Sequence, residues 1–461
     1  MSSSPQTGSI PPPARLVQGS TLRHVVEMTF AGSVGLVAIF LVDFLSLFYI
    51  SMLKDERLTA GVGYATTVLF FAVSVNVGLM IAVSALTARS LGAGDRERAR
   101  RVATSGVVLC AVVGGIAGLL MLAFLPQILS ALGAEAEPRA VASRFLWITL
   151  PANLLMAVGM ALSGILRGVG DARRAMLVTL LGGIATAILD PLFIFGLRLG
   201  TDGAALATVM SRLVFCVVGW RSVVGHHKLL AAPRLHDIRV YARPLFGIAV
   251  PAVLTNIASP FANAFVLSVM RRFGHEAVTA TTIIDRLVPL AFGVIFALSG
   301  SVGPILAQNF GARRFDRVRQ TMRDALLFAA VYCCLVWAVL ALSRDAIPAL
   351  FGASATTSAY VAWFCLVGAG MWVFIGLLFV ANAAFNNLGY PLYSTLFNWG
   401  RALIGTVPFA LYGARWGFEG VLLALMAGAA LFGVSSVVVA FRAIRALETK
   451  GALENRGRLE N

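Results

Sequence analysis

Charge is scarce in this 461-residue chain. Only 13% of residues are Asp, Glu, Lys or Arg, against 59% apolar, and mean hydropathy is +0.85. A soluble globular protein carries roughly a quarter charged residues, so an ordinary aqueous enzyme, a disordered chain and a secreted disulfide scaffold are all excluded. Lysine is scarcer still: Lys54, Lys228 and Lys450 are the whole set, preceded by Leu53, His227 and Thr449. A Walker A loop requires Gly-Lys-Ser/Thr, so the chain has no P-loop with which to hydrolyse ATP. Histidine and cysteine number five each. The cysteines (Cys110, Cys216, Cys333, Cys334, Cys365) sit in apolar runs without a CxxC pair, which reads as packing rather than redox or metal chemistry. The histidines fall at the ends of apolar runs or in loops, so no metal site and no histidine-based membrane enzyme is legible. Proline is missing between Pro13 and Pro126, a stretch that holds the first two long apolar runs.

What is present is apolar sequence in long blocks. Twelve segments, roughly 25–52, 62–90, 102–132, 141–163, 174–197, 203–222, 244–271, 279–307, 321–348, 357–384, 392–413 and 418–444, each approach or exceed the ~20 residues that cross a bilayer. The expected fold class is an all-α polytopic membrane protein with twelve transmembrane helices. The formal net charge of +16 belongs to the connections. Two are rich in arginine, Gly94–Arg101 and Ala312–Arg319, and positive residues gather on the cytoplasmic side. That places both termini in the cytoplasm of a bacterial-type plasma (inner) membrane, gives the basic residues a topological role, and leaves no soluble face for nucleic acid.

The two arginine-rich connections are copies. Ala88-Arg-Ser-Leu-Gly-Ala93 matches Ala307-Gln-Asn-Phe-Gly-Ala312 at an offset of 219, and the same offset carries Gly170 onto Gly389. Leu58-Thr-Ala60 matches Val278-Thr-Ala280 at 220. A duplicated six-span unit follows, giving two lobes related by an axis along the membrane normal with a cavity between them. The expected division is a tail 1–24, a first lobe 25–222, a linker 223–243, a second lobe 244–445 and a tail 446–461.

An acid inside hydrocarbon is expensive and therefore a functional candidate. Asp43 follows some fifteen residues of apolar sequence. Asp190 lies in Ala187-Ile-Leu-Asp-Pro191, where a capping role at a helix break is the competing reading. Such carboxylates can hold and release a proton, or hold Na⁺ where hydroxyls complete the shell. Thr186 is one turn before Asp190, and Thr208 offers a hydroxyl from the next span. The repeat carries Asp43 onto Asn263 and Asp190 onto Phe409, so coupling chemistry is expected in the first half alone. In the second half, Asp285 with Arg286 and the span residue Arg401 remain. Phe44, Asn256, Asn263, Asp285, Trp372 and Asn382 are candidates to line the cavity.

Taken together, Leu91-Gly-Ala-Gly-Asp95, Leu166-Arg-Gly-Val-Gly-Asp171, Leu189-Asp-Pro191, Gly203-Ala-Ala-Leu-Ala-Thr208 and Gln308-Asn-Phe-Gly-Ala312 resemble the multidrug and toxic compound extrusion (MATE) transporters, over about residues 25–445 and more in the manner of the DinF-like branch. The resemblance implies export of amphipathic compounds, cationic or neutral-aromatic, by two rocking lobes. An inward cation gradient drives it, H⁺ favoured over Na⁺, with Asp43, Thr186, Asp190 and Thr208 as the cation site. Two departures stand out: Thr186 replaces the family's usual Asn, and span one has no proline, leaving Gly32 or Gly35 to bend it. The expected partners are the lipid bilayer and a small amphipathic substrate, the expected state a monomer, and no cofactor beyond the coupling ion is implied. The nearest rival is a lipid-linked flippase or polysaccharide exporter of the same superfamily.

Overall fold

The computed structural model describes residues 14–459; the side chains of Asp43 and of residues 452–459 lie outside what it describes, as do residues 1–13, 460 and 461 of the two expected tails. The described residues form helices and no strands. Ten continuous helical stretches are long and apolar enough to cross a membrane, and a helix pair bent by 56°, Ala136–Thr149 with Asn153–Val169, is an eleventh. The longest stretch, Pro391–Gly451, breaks at the turn Ala414–Trp416, where Gly417 adopts φ 76°. Counting it as two gives twelve spans.

These are span one Thr21–Ser51, two Glu56–Gly92, three Arg96–Ala123 and four, the bent pair. Span five is Ala172–Gly196, six Thr201–His226, seven Leu235–Phe273, eight His275–Gly311 and nine Phe315–Leu342. Span ten is Ala355–Leu388, eleven runs from Pro391 to Gly413, and twelve is Gly417–Leu459.

The duplication is visible helix by helix. Spans two and eight are 37 residues each, spans three and nine 28 each, and the later member of each pair begins 219 residues after the earlier. The left-handed turns repeat too, Gly133 with Gly352 and Gly170 with Gly389. Local chemistry explains the turns. Gly94 takes φ 78°, which glycine reaches without strain, and the Asp95 carboxylate then accepts from Arg98 N (2.8 Å) to cap span three. Gly170 and Asp171 repeat the device before span five, with Asp171 accepting from Arg174 N at 3.1 Å. The glycine–acid pairs of the sequence motifs are therefore helix-stop and helix-start signals.

Each half completes the core of the other at the arginine-rich end. Val25 and Met28 of span one are buried in the main cluster of the second half, alongside Leu298, Val302 and Met322. Leu245 and Ile248 of span seven, 220 residues later, are buried in the first half's cluster with Val83, Ala103 and Leu166. Between them, spans two and eight cross at backbone contact. A Cβ on Gly92 would collide with the Gln308 carbonyl oxygen, and one on Gly311 with that of Arg89. Gly32 and Gly35 serve close packing in the same way. Gly32 faces Ser301 and Ala297 of span eight, and Gly35 faces Thr179 of span five.

The segments preceding spans one and seven are tied across as well. Leu16, 1% exposed, donates its backbone N–H to Gln308 Oε1 (3.0 Å), and the carbonyls of Leu16 and Gly19 accept from Asn309 Nδ2 (3.2 Å) and Arg317 Nη1 (2.9 Å). Correspondingly, the His227 and Leu230 carbonyls accept from Arg96 Nη2 (2.6 Å) and Arg100 Nη2 (3.1 Å) of span three. Part of the sequence-expected tail 1–24 is therefore a docked strap and the start of span one.

Candidate functional site

Spans one and five pack together in the first half, and span five carries Asp190 one residue before Pro191. Proline removes a backbone donor, and the chain widens there into the π turn Leu192–Gly196. Asp190 is 1% exposed. Its Oδ2 accepts from the Ser46 hydroxyl of span one, and its Oδ1 is buried with no partner among the described residues. Within the described residues no cation lies within ion-pair distance of it. A buried carboxylate oxygen without a donor costs free energy comparable to a lost hydrogen bond, so a proton or a small cation is the group this geometry accommodates.

Span one brings Asp43 toward span five by its backbone, since Val42 and the Ala38 carbonyl face Gly183; the Asp43 side chain lies outside the described residues. Thr186 is buried one turn before Asp190, but its hydroxyl donates to the Gly182 carbonyl (3.2 Å), and Thr208 donates to Ala204 (3.0 Å). Both threonines thus bond back into their own helices. Ser46, which sequence reading missed, is the hydroxyl that reaches the acid. Its position three residues after Asp43, on the same helical face, is the signal that would have found it.

A cleft of about 510 Å³ lies between the halves, away from the arginine-rich end. Phe44 of span one forms one wall, and Val278, Thr279, Thr282, Ile283, Arg286 and Phe351 form the other. Its size suits a small organic molecule. Of the sequence candidates, Phe44 is on this wall and 58% exposed. Asn263 and Asp285 are exposed on spans seven and eight. Trp372 and Asn382 are instead buried inside the second half. The Trp372 ring stacks on Phe292 at 5.0 Å, and Asn382 Oδ1 accepts from Asn398 Nδ2 at 2.9 Å. Asn256 has a buried amide nitrogen with no partner. Among the described residues the charge on the cleft wall is Arg286, which has no carboxylate of those residues within 4 Å.

Among the described residues, one grouping brings histidine and carboxylate ligand atoms within 4.8 Å of one another: Asp171, His226 and His227. Asp171 Oδ2 is already bonded by Arg174 Nη1 (2.6 Å) and His227 Nε2 (2.9 Å), so the group fastens the linker to span five. Burial opposes the Asp171 charge, but the Arg174 and His227 bonds outweigh it and hold the carboxyl below its usual range. Burial likewise dominates at His227 and lowers its affinity for a proton, despite Asp171.

The MatE family model matches residues 33–192 and 251–411, one block in each half. The chain belongs to the MatE family. It is a multi-pass membrane efflux transporter, not an enzyme. It is 28% identical over 430 residues to the FAD transporter of Shewanella oneidensis, covering 91% of this chain and 94% of that one. To the multidrug export protein MepA of Staphylococcus aureus it is 26% identical over 407 residues, covering 86% and 84%. A transporter of the MOP superfamily from Pyrococcus furiosus shares the fold with a TM-score of 0.88 at 23% identity, over 95% of this chain and 99% of that one. The MATE transporter VcmN of Vibrio cholerae, solved as a point mutant, also scores 0.88, at 22% identity over 93% and 98%.

Proposed function

We propose that this MatE chain is a cation-coupled antiporter, driven by H⁺ in preference to Na⁺, that exports amphipathic aromatic compounds as its two lobes alternately expose the cleft. The observation that carries the reading is Asp190. It is an acid buried in a span, with one oxygen bonded only by the Ser46 hydroxyl and the other unoccupied. A carboxylate in that state can exchange a proton with the aqueous phase when the lobes move, and it has no ion pair that must first be broken. The protein acts as a monomer in the plasma membrane. The arginine-rich end and both termini face the cytoplasm, with lobes over about 25–222 and 244–445 joined by the linker.

Asp43 shares the coupling role, with Ser46 rather than Thr208 as the hydroxyl partner. In this conformation the cleft is open to the outside and closed at the cytoplasmic seam. Vesicles with independently imposed proton and Na⁺ gradients test the coupling. Asp190→Asn and Asp43→Asn, normally expressed, lose gradient-driven dye efflux; unchanged efflux in both would refute the coupling site.

A second reading concerns the sign of the substrate. The family resemblance implies a cationic or neutral-aromatic substrate. Asp190 points to Ser46 within the first lobe, and among the described residues the charge on the cleft wall is Arg286. An aromatic anion suits that wall, with Phe44 and Phe351 meeting the ring and Arg286 the charge. FAD, for which the Shewanella relative is named, belongs to that chemical class.

A further inference from the structure

The second lobe sets a partly buried cation, Arg401, on the helix pair that corresponds to the one burying the first lobe's acid. Spans seven and eleven pack together as spans one and five do, with the Trp399 indole N–H donating to the Leu254 carbonyl at 3.0 Å. Span eleven also widens into a π turn, Arg401–Thr406, and Arg401 opens it. Wide turns of this kind free backbone groups and recur at functional positions. At an offset of 219, Arg401 corresponds to Gly182, eight residues and roughly 12 Å along the helix from Asp190. The two charges therefore sit at different depths of equivalent helix pairs.

Two other arginines set among the spans have carbonyl acceptors: Arg89 Nε donates to Asn387 O (2.9 Å), although its Nη2 is itself buried without a partner, and Arg212 Nη1 donates to Thr149 O (2.5 Å). For Arg401 the acceptor is a hydroxyl, Ser259 Oγ, at 3.4 Å, while its Nε is buried with no partner. One turn before Ser259 on span seven, Asn256 Nδ2 is buried and unpartnered too. Two unpartnered donors thus lie on this helix pair, Ser259 Oγ is the acceptor the guanidinium has, and no carboxylate lies within 4 Å of it among the described residues. Burial of an unpaired charge is costly, and an anion bound between spans seven and eleven would remove that cost.

We propose that Arg401, Asn256 and Ser259 form a site in the second lobe for the carboxylate or phosphate of an aromatic substrate. This rests on the transport reading above and deepens its second form: Arg286 meets the anion in the cleft, and Arg401 holds it deeper. The first lobe then handles the coupling cation and the second the substrate anion.

Carboxyfluorescein and rhodamine 123 share a xanthene ring system and differ in charge, so they form a matched pair of probes. In proteoliposomes under an imposed proton gradient, the ratio of carboxyfluorescein to rhodamine transport falls at least ten-fold in Arg401→Gln and recovers in part in Arg401→Lys. Asn256→Asp adds a carboxylate one turn from Ser259, repels the anion and lowers the ratio as strongly. An unchanged ratio in Arg401→Gln and Asn256→Asp overturns the proposal, as does wild-type protein that carries rhodamine alone.

Quenching of tryptophan fluorescence by carboxyfluorescein in detergent reads binding without transport. Arg401-dependent quenching with no transport of either dye means that the site stands and the transport reading fails. Absence of quenching overturns the site. Quenching abolished equally by millimolar chloride in place of gluconate assigns the site to a resident inorganic anion and overturns the substrate role.

Discussion

Gly92 and Gly311 make the seam between spans two and eight a sensitive place to add a single methyl group. In Gly92→Ala the new Cβ meets the Gln308 carbonyl oxygen, with its carbon and Cα both at 2.7 Å, where real Cβ contacts essentially never fall below 3.0 Å. The neighbour is backbone, so relief requires the two helices to part by the better part of an ångström. Three hydrogen bonds cross the closed end beside this point: Leu16 N to Gln308 Oε1 (3.0 Å), Gln308 Nε2 to Gly168 O (2.6 Å) and Arg89 Nε to Asn387 O (2.9 Å). At about 1 kcal/mol each their loss disfavours the closed end by about 3 kcal/mol, a shift of roughly 150-fold in the closed-to-open ratio. The better helix propensity of alanine, up to about 1 kcal/mol, is common to both states and cancels. Nitroxide labels at Arg101 and Gln320, exposed and 219 residues apart, report the separation by pulsed electron resonance in a background with the five cysteines replaced. The distance distribution moves outward in Gly92→Ala and Gly311→Ala, and transport slows. Gly63→Ala, where no atom lies within 4 Å, leaves the distances alone. Wild-type distances together with wild-type transport in both seam variants would refute the reasoning.

Three further outcomes are expected. Leu16→Asp removes a side chain 1% exposed and worth about 1.5–3 kcal/mol of burial, so backbone amides of residues 16–20 exchange hydrogen faster by mass spectrometry while spans three and four keep their protection. At His227 burial holds the folded-state pKa below the unfolded value of about 6.5, so the neutral ring is the docked form. Its contribution is complete above that value and is lost as pH falls below it, so protection of amides 227–234, taken relative to their intrinsic exchange rates, declines as pH drops below about 6.5 in wild type but not in His227→Gln. Phe292→Ala leaves a cavity beneath Trp372 in a fully buried cluster and lowers stability by about 3–5 kcal/mol, read as a drop in Tm in detergent.

Much of this architecture is legible in the amino-acid order because the bilayer imposes it. Hydrocarbon selects long apolar runs, which made twelve spans countable, and the duplicated turns at Gly94, Gly170 and Gly389 made the repeat readable as spacing. Asp190 stood out for the same reason, since an acid in that setting needs a cause. Trp372 and Asn382 lie inside the second lobe and not on the cleft wall, which residue type does not reveal, because an aromatic ring or an amide suits a cavity wall, a lobe interior and a helix interface equally well. Thr208 satisfies its hydroxyl on Ala204, a choice made by helix geometry that leaves no trace in residue type. The straps were invisible for a simpler reason: Leu16, Gly19, His227 and Leu230 are held through their carbonyls, and every residue has one.

Those straps have a consequence for how the chain is put together. The segment entering span one is gripped by spans eight and nine, and the segment entering span seven by span three, so neither six-helix unit finishes its own arginine-rich end. This is the arrangement of a two-fold dimer whose subunits exchange arms, with residues 227–234 welding one subunit's last helix to the other's arm. A cut in that weld would leave two interlocked pieces rather than two free domains.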